Sequence, residues 1–355
     1  MSSPRLPQFS FRLIQIAAVF ITALVASPLA HAQSLAQAAG SNAATIRIGG
    51  SSTVFPIMME AIRAFRAAGN NTKIDHKESG TTDGFRRFCA GQLEIANASR
   101  PINSKELKAC ANNRISFIEL PIAFDAISIV VHPSNAWTRQ ITPKELARLW
   151  GRQAEGKIDS WNDVNRDWPE RPIKLCGPGK DSGTYDYFNK AINGSADNSR
   201  KDYASSEDDN VIVKCVTQNP NALGYFGFGY YRSNQSKLRA LAVTTLSGPV
   251  NPSVANVQSG RYQPLSRPLF IYINDKALAS KAYVQKFATF TVRNGLGIVA
   301  ASGDIPLPAS TYQLVESKLY KRITGSAFSG DLPVGLSIGE ALRRSFDVNK
   351  QPQFR

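Results

Sequence analysis

Apolar residues along this chain recur with two periods. Short apolar runs, such as Thr45 to Ile48, precede stretches whose apolar side chains fall three or four positions apart. Ile57, Ala61, Ile62 and Phe65 form one helical stripe. Phe85, Phe88 and Cys89 form a second, and Tyr185, Phe188 and Ile192 a third. Strand-like runs alternating with helical stripes predict an α/β architecture. Residues 126–131 (AISIVV) and 269–273 (LFIYI) are further strand candidates. The region between them has its own helical stripe, cysteines and polar loops. These two runs are therefore predicted to cross between lobes, with the second lobe inserted in the first. The polar stretches 159–171 and 195–210 are rich in turn formers and predict loops.

Four Gly/Ser/Thr-rich turns lead into helical patterns: Gly49 to Thr53, Ser79 to Gly84, Ala98 to Pro101 and Lys180 to Thr184. A helix start offers unsatisfied backbone N–H groups and a partial positive charge, so several converging starts hold a small anion. Hydroxyls add donors, and glycine allows the backbone to come close. Pro56 suits a first helical turn, with Ser52 and Thr53 able to cap it or to donate to an anion. In the second turn Thr81 and Thr82 can donate, and Asp83 is placed to accept from a protonated oxyanion. Arg100 offers a planar fork that matches phosphate oxygens, just ahead of Asn103-x-x-Glu106, a capping-box pattern. Ser182, Gly183 and Thr184 supply hydroxyls and consecutive backbone donors at the fourth turn.

The first 32 residues read as a secretory signal: Arg5 and Arg12, an apolar stretch from Leu13 to Ala26, and a small-x-small site at Ala30-His31-Ala32. Cleavage is expected after Ala32, with residues 33–44 as a flexible lead-in, and the product is expected in a periplasm. The four cysteines, Cys89, Cys110, Cys176 and Cys215, lie beyond that site. An even count in an exported chain predicts two disulfides. Of three possible pairings, Cys89–Cys110 and Cys176–Cys215 are favoured because each closes within one region. No CxxC or HxxxH spacing occurs, so neither a metal nor another cofactor is expected. The net charge of +15 favours anionic partners. The basic residues are scattered and no nucleic-acid motif is present, so nucleic acid is not an expected partner.

Enzyme motifs fare worse on the same residues. Gly177 to Ser182 departs from a P-loop because Asp181 follows Lys180 and Lys174 stands at the upstream glycine position. No G-x-S-x-G elbow occurs, and His76 and His132 are the histidines beyond residue 32. The chain is read as a binding protein rather than an enzyme.

Seven segments, in order, resemble the periplasmic phosphate-binding protein of the phosphate ABC transporter. They are GGSSTVFP (49–56), ESGTTDGF (78–85), IANASRPI (95–102), PIAFDAISIVVHP (121–133), KDSGTYDYF (180–188), NALGYFGFGYY (221–231) and SRPLFIYIN (266–274). The resemblance implies a two-lobed, type II periplasmic-binding-protein-like fold, with phosphate held in a cleft between lobes joined by crossing strands. It also implies delivery of the anion to a membrane permease, with no chemistry done on it. Carried over, the contacts fall at Thr53, Val54 and Phe55, with Ser52 beside them, at Thr81, and at Ser182, Gly183 and Thr184. Two charged positions depart from the best-known pattern: Arg100 stands where an aspartate is usual, and Pro178 where an arginine is. The expectation is that the charges have exchanged loops, Arg100 supplying the cation and Asp83 the proton acceptor.

The expected division is 45–125 with 274–325 as the first lobe, 126–273 as the inserted second, and 326–355 as a C-terminal extension. The protein is expected to act as a monomer. Binding of another oxyanion, such as sulfate or a phosphonate, and an exported phosphatase on the same fold are the alternatives.

Overall fold

The computed structural model of the chain describes residues 44–336 and 338–346. The expected signal segment, the Ala32 cleavage site, the lead-in up to residue 43, and Ser337 lie outside the described residues.

The strands are β1 (Thr45–Gly50), β2 (Lys73–Glu78), β3 (Ile95–Ala98), β4 (Phe117–Ala126), β5 (Ser128–Val131), β6 (Gln140–Ile141), β7 (Lys174–Pro178), β8 (Ala204–Ser206), β9 (Ala222–Phe226), β10 (Arg239–Ala240), β11 (Ala242–Thr245), β12 (Gly248–Val250), β13 (Ser266–Asn274) and β14 (Ile305–Pro306). The helices of seven or more residues are α1 (Phe55–Ala67), α2 (Thr81–Cys89), α3 (Ser104–Asn112), α4 (Pro143–Trp150), α5 (Gly183–Asn193), α6 (Asp209–Thr217), α7 (Phe228–Asn234), α8 (Ala282–Arg293), α9 (Gly295–Ser302), α10 (Ala309–Tyr320) and α11 (Ile338–Phe346). They surround a six-stranded sheet in the order β14-β4-β13-β3-β1-β2 and a five-stranded sheet in the order β10-β5-β9-β7-β8. A small sheet, β12-β11-β6, adjoins them in sequence. The fold is α/β, in two lobes, each built on one of the large sheets.

Local chemistry explains the main elements. Ile46 and Ile48 of β1 point into the core while Arg47 between them pairs with Glu94. Pro56 lies in the first turn of α1, and Ile57, Ala61, Ile62 and Phe65 are buried along it. The Asn103/Glu106 capping box opens α3, each group accepting the other's backbone N–H. Every residue of β4 and β13 is buried, so these strands carry apolar residues on both faces. They run antiparallel from Ser266 opposite Ala126 to Asn274 opposite Phe117, with a register shift between Leu269 and Phe270. Pro121 sits at that irregularity, where a missing N–H is tolerated.

The chain passes from the first sheet to the second between Ala126 and Ser128, and re-enters the first at Ser266. Residues 269–273 thus lie wholly inside the six-stranded sheet. The stretch 195–210 is more than a loop: β8 pairs in parallel with β7, Cys176 opposite Ala204, and α6 begins before the stretch ends. Within 159–171 the buried Trp161 anchors a short helix, Trp161–Val164. In α5 Tyr187 and Phe188 face the core and Tyr185 is half-buried.

Disulfides join Cys89 to Cys110 and Cys176 to Cys215, with Cα separations of 4.2 and 6.1 Å. The first ties α2 to α3, and the second ties β7 to α6. The C-terminal part docks on the fold, α11 packing on β4, β13 and α10. The Tyr187 hydroxyl donates to the Ser266 carbonyl (2.8 Å) and accepts from the Gly335 N–H (3.1 Å). Among the described residues, no helix is long and apolar enough to cross a membrane.

Candidate functional site

The starts of α1, α2 and α5 bring buried hydroxyls together. Thr53 Oγ1 lies 3.0 Å from Thr184 Oγ1, a contact between the turn before α1 and the first turn of α5. Thr81 Oγ1, at the start of α2, lies 3.2 Å from Ser99 Oγ and accepts from the Ser99 N–H at 3.2 Å. Ser182 caps α5, its Oγ accepting from the Thr184 N–H at 3.1 Å. Thr81 and Thr184 are fully buried, and Thr53, Ser99 and Ser182 nearly so. Gly183 brings the backbones together: a Cβ there would lie 2.6 Å from Ser99 Oγ and 2.7 Å from Thr81 Oγ1. The Thr82 N–H donates to the Asp181 carbonyl at 2.9 Å, a direct bond between the lobes. Helix starts, hydroxyls and closely approaching backbones are the kinds of donor that oxyanion sites use.

The cation among these hydroxyls is Arg267, on β13. It is completely buried. Its Nε and Nη2 donate to Asp125 Oδ2 at 3.0 and 2.8 Å, Nη1 to the Gly183 carbonyl at 3.0 Å, and Nη2 also to Thr184 Oγ1 at 2.8 Å. Thr53 Oγ1 lies 3.5 Å from the same Nη2. Asp125, on β4, holds the guanidinium and accepts from the Phe228 N–H at 2.8 Å through its other oxygen. One N–H of Nη1 has no acceptor among these contacts, which leaves the fork able to bind an anion. Arg267 and Asp125 were not singled out as site residues in the sequence, because each lies just ahead of an apolar run, 126–131 or 269–273, and carries no local signal of its own. Register alone brings them opposite each other.

Arg100 stands elsewhere. All five of its N–H donors are taken: Nε by Asp186, Nη1 by the Pro101 carbonyl and Glu106, and Nη2 by Thr82 and Glu106. The expected anion-binding fork is instead the centre of a buried ion-pair cluster behind the hydroxyls, one of whose acids, Asp186, comes from α5. Burial opposes the Arg100 charge, but Glu106 and Asp186 outweigh it and raise the guanidinium further. Burial raises the Asp186 carboxyl, and Arg100 offsets only part of that. The directions differ because Arg100 has two acid partners and Asp186 one base. The pair is charged, since arginine keeps its proton.

Asp83 pairs with Arg86 one turn along α2, not with the hydroxyl cluster. Val54 is fully buried and its N–H lies 3.4 Å from Ser51 Oγ. The Phe55 ring stacks on His76 at 4.3 Å between centroids, and its N–H is bonded to the Ser52 carbonyl. Ser52 is buried, and its carbonyl also accepts from the Tyr230 hydroxyl. The turn 98–101 contributes Ser99, but α3 beyond it is capped by its own Asn103 and Glu106.

A helix start that the four turns did not include also faces the site. At α6 the Asp209 carboxyl is 1% exposed and lies beside the Ser52 hydroxyl. Burial pushes it up to about 8, with Asp125 and Glu78 adding to the effect and Arg267 and Ser52 opposing it. Burial also pushes Glu78 and Glu207 up to about 7, and Glu207 lies beside the contact of Gly80 with Asp181, accepting from the Asp181 N–H at 3.1 Å. Among the described residues, no group of three or more His, Cys, Asp or Glu is placed to hold a metal ion.

The sequence profile of the PBP superfamily domain matches residues 35–294. Protein SphX of Synechocystis is 43% identical over 300 residues, 84% of this chain and 89% of its own length. The phosphate-binding protein PstS of Staphylococcus epidermidis is 33% identical over 265 residues, 74% of this chain and 79% of its own. The crystal structure of a putative phosphate ABC transporter substrate-binding protein with bound phosphate, from Clostridium perfringens, matches at a TM-score of 0.63. It is 25% identical and covers 74% of this chain and 100% of that one.

Proposed function

The chain belongs to the PBP superfamily, with the phosphate-binding protein PstS among its relatives, and on that premise we propose that it captures inorganic phosphate between its two lobes. The observation that carries this reading is the set of buried hydroxyls at the helix starts: Thr53 and Thr184 meet the Arg267 guanidinium, and Thr81 and Ser99 crowd Gly183, whose carbonyl the same guanidinium bonds. Three helix starts add backbone donors and their positive dipole ends. Hydroxyls and a guanidinium donate to phosphate oxygens, and dry surroundings strengthen each bond.

Arg267 supplies the charge in this reading. Arg100 steadies the closed arrangement by bonding α5 across the lobes. Val54 and Phe55 build the start of α1 that sets Thr53 in place, and Ser182, Gly183 and Thr184 build that of α5, with the Ser182 and Thr184 hydroxyls as its donors. The lobes divide as 45–125 with the chain after the second crossing, and 127–265 as the insertion. In this reading the second boundary falls at Ser266, supported by the chain's return to the six-stranded sheet there. Residues 326–346 join the first lobe through Glu119, which accepts from Ser326 Oγ and the Ala327 N–H. Hinged closure around the anion suits this arrangement.

The proposed role is that of a monomeric, exported receptor which hands phosphate to an ABC-transporter permease and does no chemistry on it. In support, the groups that touch Arg267 are the Asp125 carboxylate, the Gly183 carbonyl and the Thr53 and Thr184 hydroxyls, with no histidine base among them. His76 is stacked on Phe55 and bonded to Asn97 at 3.0 Å. Titration calorimetry of the purified protein, stripped of ligand, tests the reading. One site of micromolar or tighter phosphate affinity is expected. Preference for sulfate or a phosphonate would overturn the ligand, and turnover of a phosphate ester would overturn the receptor.

A further inference from the structure

The two lobes also meet far from their crossings. β2 and β8 each close one edge of a large sheet, three strands away from β13 and β5, the strands that begin at the crossings. Three strand spacings are about 14 Å. The turns beyond β2 and β8 are therefore jaw tips, which part when the lobes open about the crossings. Their contact is close. The Thr82 N–H donates to the Asp181 carbonyl at 2.9 Å, and a Cβ on Gly80 would lie 2.5 Å from that carbonyl oxygen and 2.9 Å from Glu207 Oε2.

Glu207 stands in this contact without a base. Its Oε1 accepts from the Asp181 N–H at 3.1 Å, within its own lobe, and its Oε2 is buried with no hydrogen-bond partner. The N–H groups of Ser79 and Gly80 are committed to the Gly50 carbonyl, and that of Thr82 to Asp181. The ionisable groups that face Glu207 are Asp181 in the adjoining turn, Asp186 on α5 and Tyr203 before β8. Asp186 is itself paired with Arg100. Glu78, at the end of β2, is a further acid on the first lobe, within reach of the Asp208 charge. Among the described residues, no lysine, arginine or histidine pairs with Glu207.

Resting on the phosphate reading above, we propose that Glu207 is a proton-operated latch on closure: neutral, it lets the jaw tips meet, and ionised, it holds them apart. Its one hydrogen bond is to Asp181, so it acts on the lobes and not on the anion. Opening returns the carboxyl to water. Closure strips that water and offers no counter-charge, so closure takes up a proton. Burial in the closed arrangement pushes the Glu207 carboxyl from 4.5 up to about 7. A group raised on closing favours the closed form fully below its open-state value and loses that contribution as pH rises through its closed-state value. Capture is therefore aided in acid and release in alkali.

The test is phosphate affinity by calorimetry from about pH 5 to 8.5, on the wild-type chain and on Glu207→Gln, which keeps an oxygen for the Asp181 N–H and cannot ionise. The ionisation of phosphate itself is common to both and cancels in the ratio of their affinities. The wild type should lose affinity relative to the variant by roughly tenfold or more between pH 5 and about 7, and level off above about 8. A ratio that stays constant with pH overturns the latch and leaves phosphate binding intact. Failure of the wild type to bind phosphate at any pH overturns the phosphate reading itself. Should Glu207→Gln not fold, the side-chain carboxyl resonance of Glu207 in labelled wild-type protein decides the matter. Its midpoint should lie near neutrality with phosphate bound and near 4.5 without it, and equal midpoints refute the latch.

Discussion

Two buried arginines lie near the proposed anion, and replacing each should separate binding from stability. Arg267→Met leaves Asp125 with one remaining partner, the Phe228 N–H at 2.8 Å. Stranding that carboxylate should cost about 3–5 kcal/mol of folding stability. Loss of the charged donor should also weaken phosphate binding by roughly 2–5 kcal/mol, or about thirtyfold to several thousandfold. The double variant Arg267→Met/Asp125→Asn removes the stranded charge but keeps an oxygen for the Phe228 N–H. It should therefore recover most of the stability and none of the affinity. Arg100→Met should show the opposite balance. It leaves Glu106 and Asp186 unpaired, which lowers stability on the same scale. Its affinity should fall by less, because Arg100 meets the second lobe only through Asp186. Urea unfolding and calorimetry on the same preparations measure both quantities. A double variant that binds phosphate within threefold of wild type would refute the role given to Arg267. So would an Arg100→Met protein of normal stability that no longer binds.

Three further outcomes follow from the geometry. Gly183→Ala places a methyl 2.6 Å from Ser99 Oγ and 2.7 Å from Thr81 Oγ1. It should hold the lobes apart at about 1–3 kcal/mol, roughly a fivefold to 150-fold loss of affinity by calorimetry, with a larger radius by X-ray scattering. Removing either disulfide, by Cys89→Ser/Cys110→Ser or Cys176→Ser/Cys215→Ser, opens loops of 21 and 39 residues. Each loss should cost about 3–4 kcal/mol in urea unfolding. Burial lowers His76 to about 4, below its ordinary 6.5. The unfolded chain therefore binds a proton that the folded chain refuses, and stability should fall as pH drops from about 6.5 to about 4. His76→Gln should flatten that slope in unfolding titrations, and an unchanged slope would exclude His76 as its source.

Local signals in the sequence located the helix starts well, because their causes are local. Pro56 at a first turn, the Asn103/Glu106 box and Ser182 as a cap each need only a few neighbouring residues. The disulfide pairs were favoured by proximity along the chain, and the structure joins them so. Arg267 illustrates the opposite case. It lies in an apolar strand, and its meaning comes from Asp125, 142 residues away, through the register of β4 and β13. Arg100 was legible as an arginine in a special turn, and Glu106 was visible as a capping acid. That the two meet, with Asp186 of α5 closing the cluster, depends on packing between lobes. Asp209 fell in a stretch whose polarity reads as loop, and only its burial marks it out.

The Tyr187 hydroxyl holds two chains of contact at once. It sits one turn beyond Gly183 on the helix that meets the anion, and it bonds both the crossing strand at Ser266 and the tail at Gly335. The Tyr187 ring also lies under the Arg267 guanidinium, 5.7 Å from it, so the tail is tied to the neighbourhood of the proposed site. In the proposed closure, a movement of that helix would strain the Gly335 bond and be felt in the tail. An environment-sensitive dye attached at exposed Asp331, on that tail and clear of the anion, would turn the protein into an optical sensor for its own ligand.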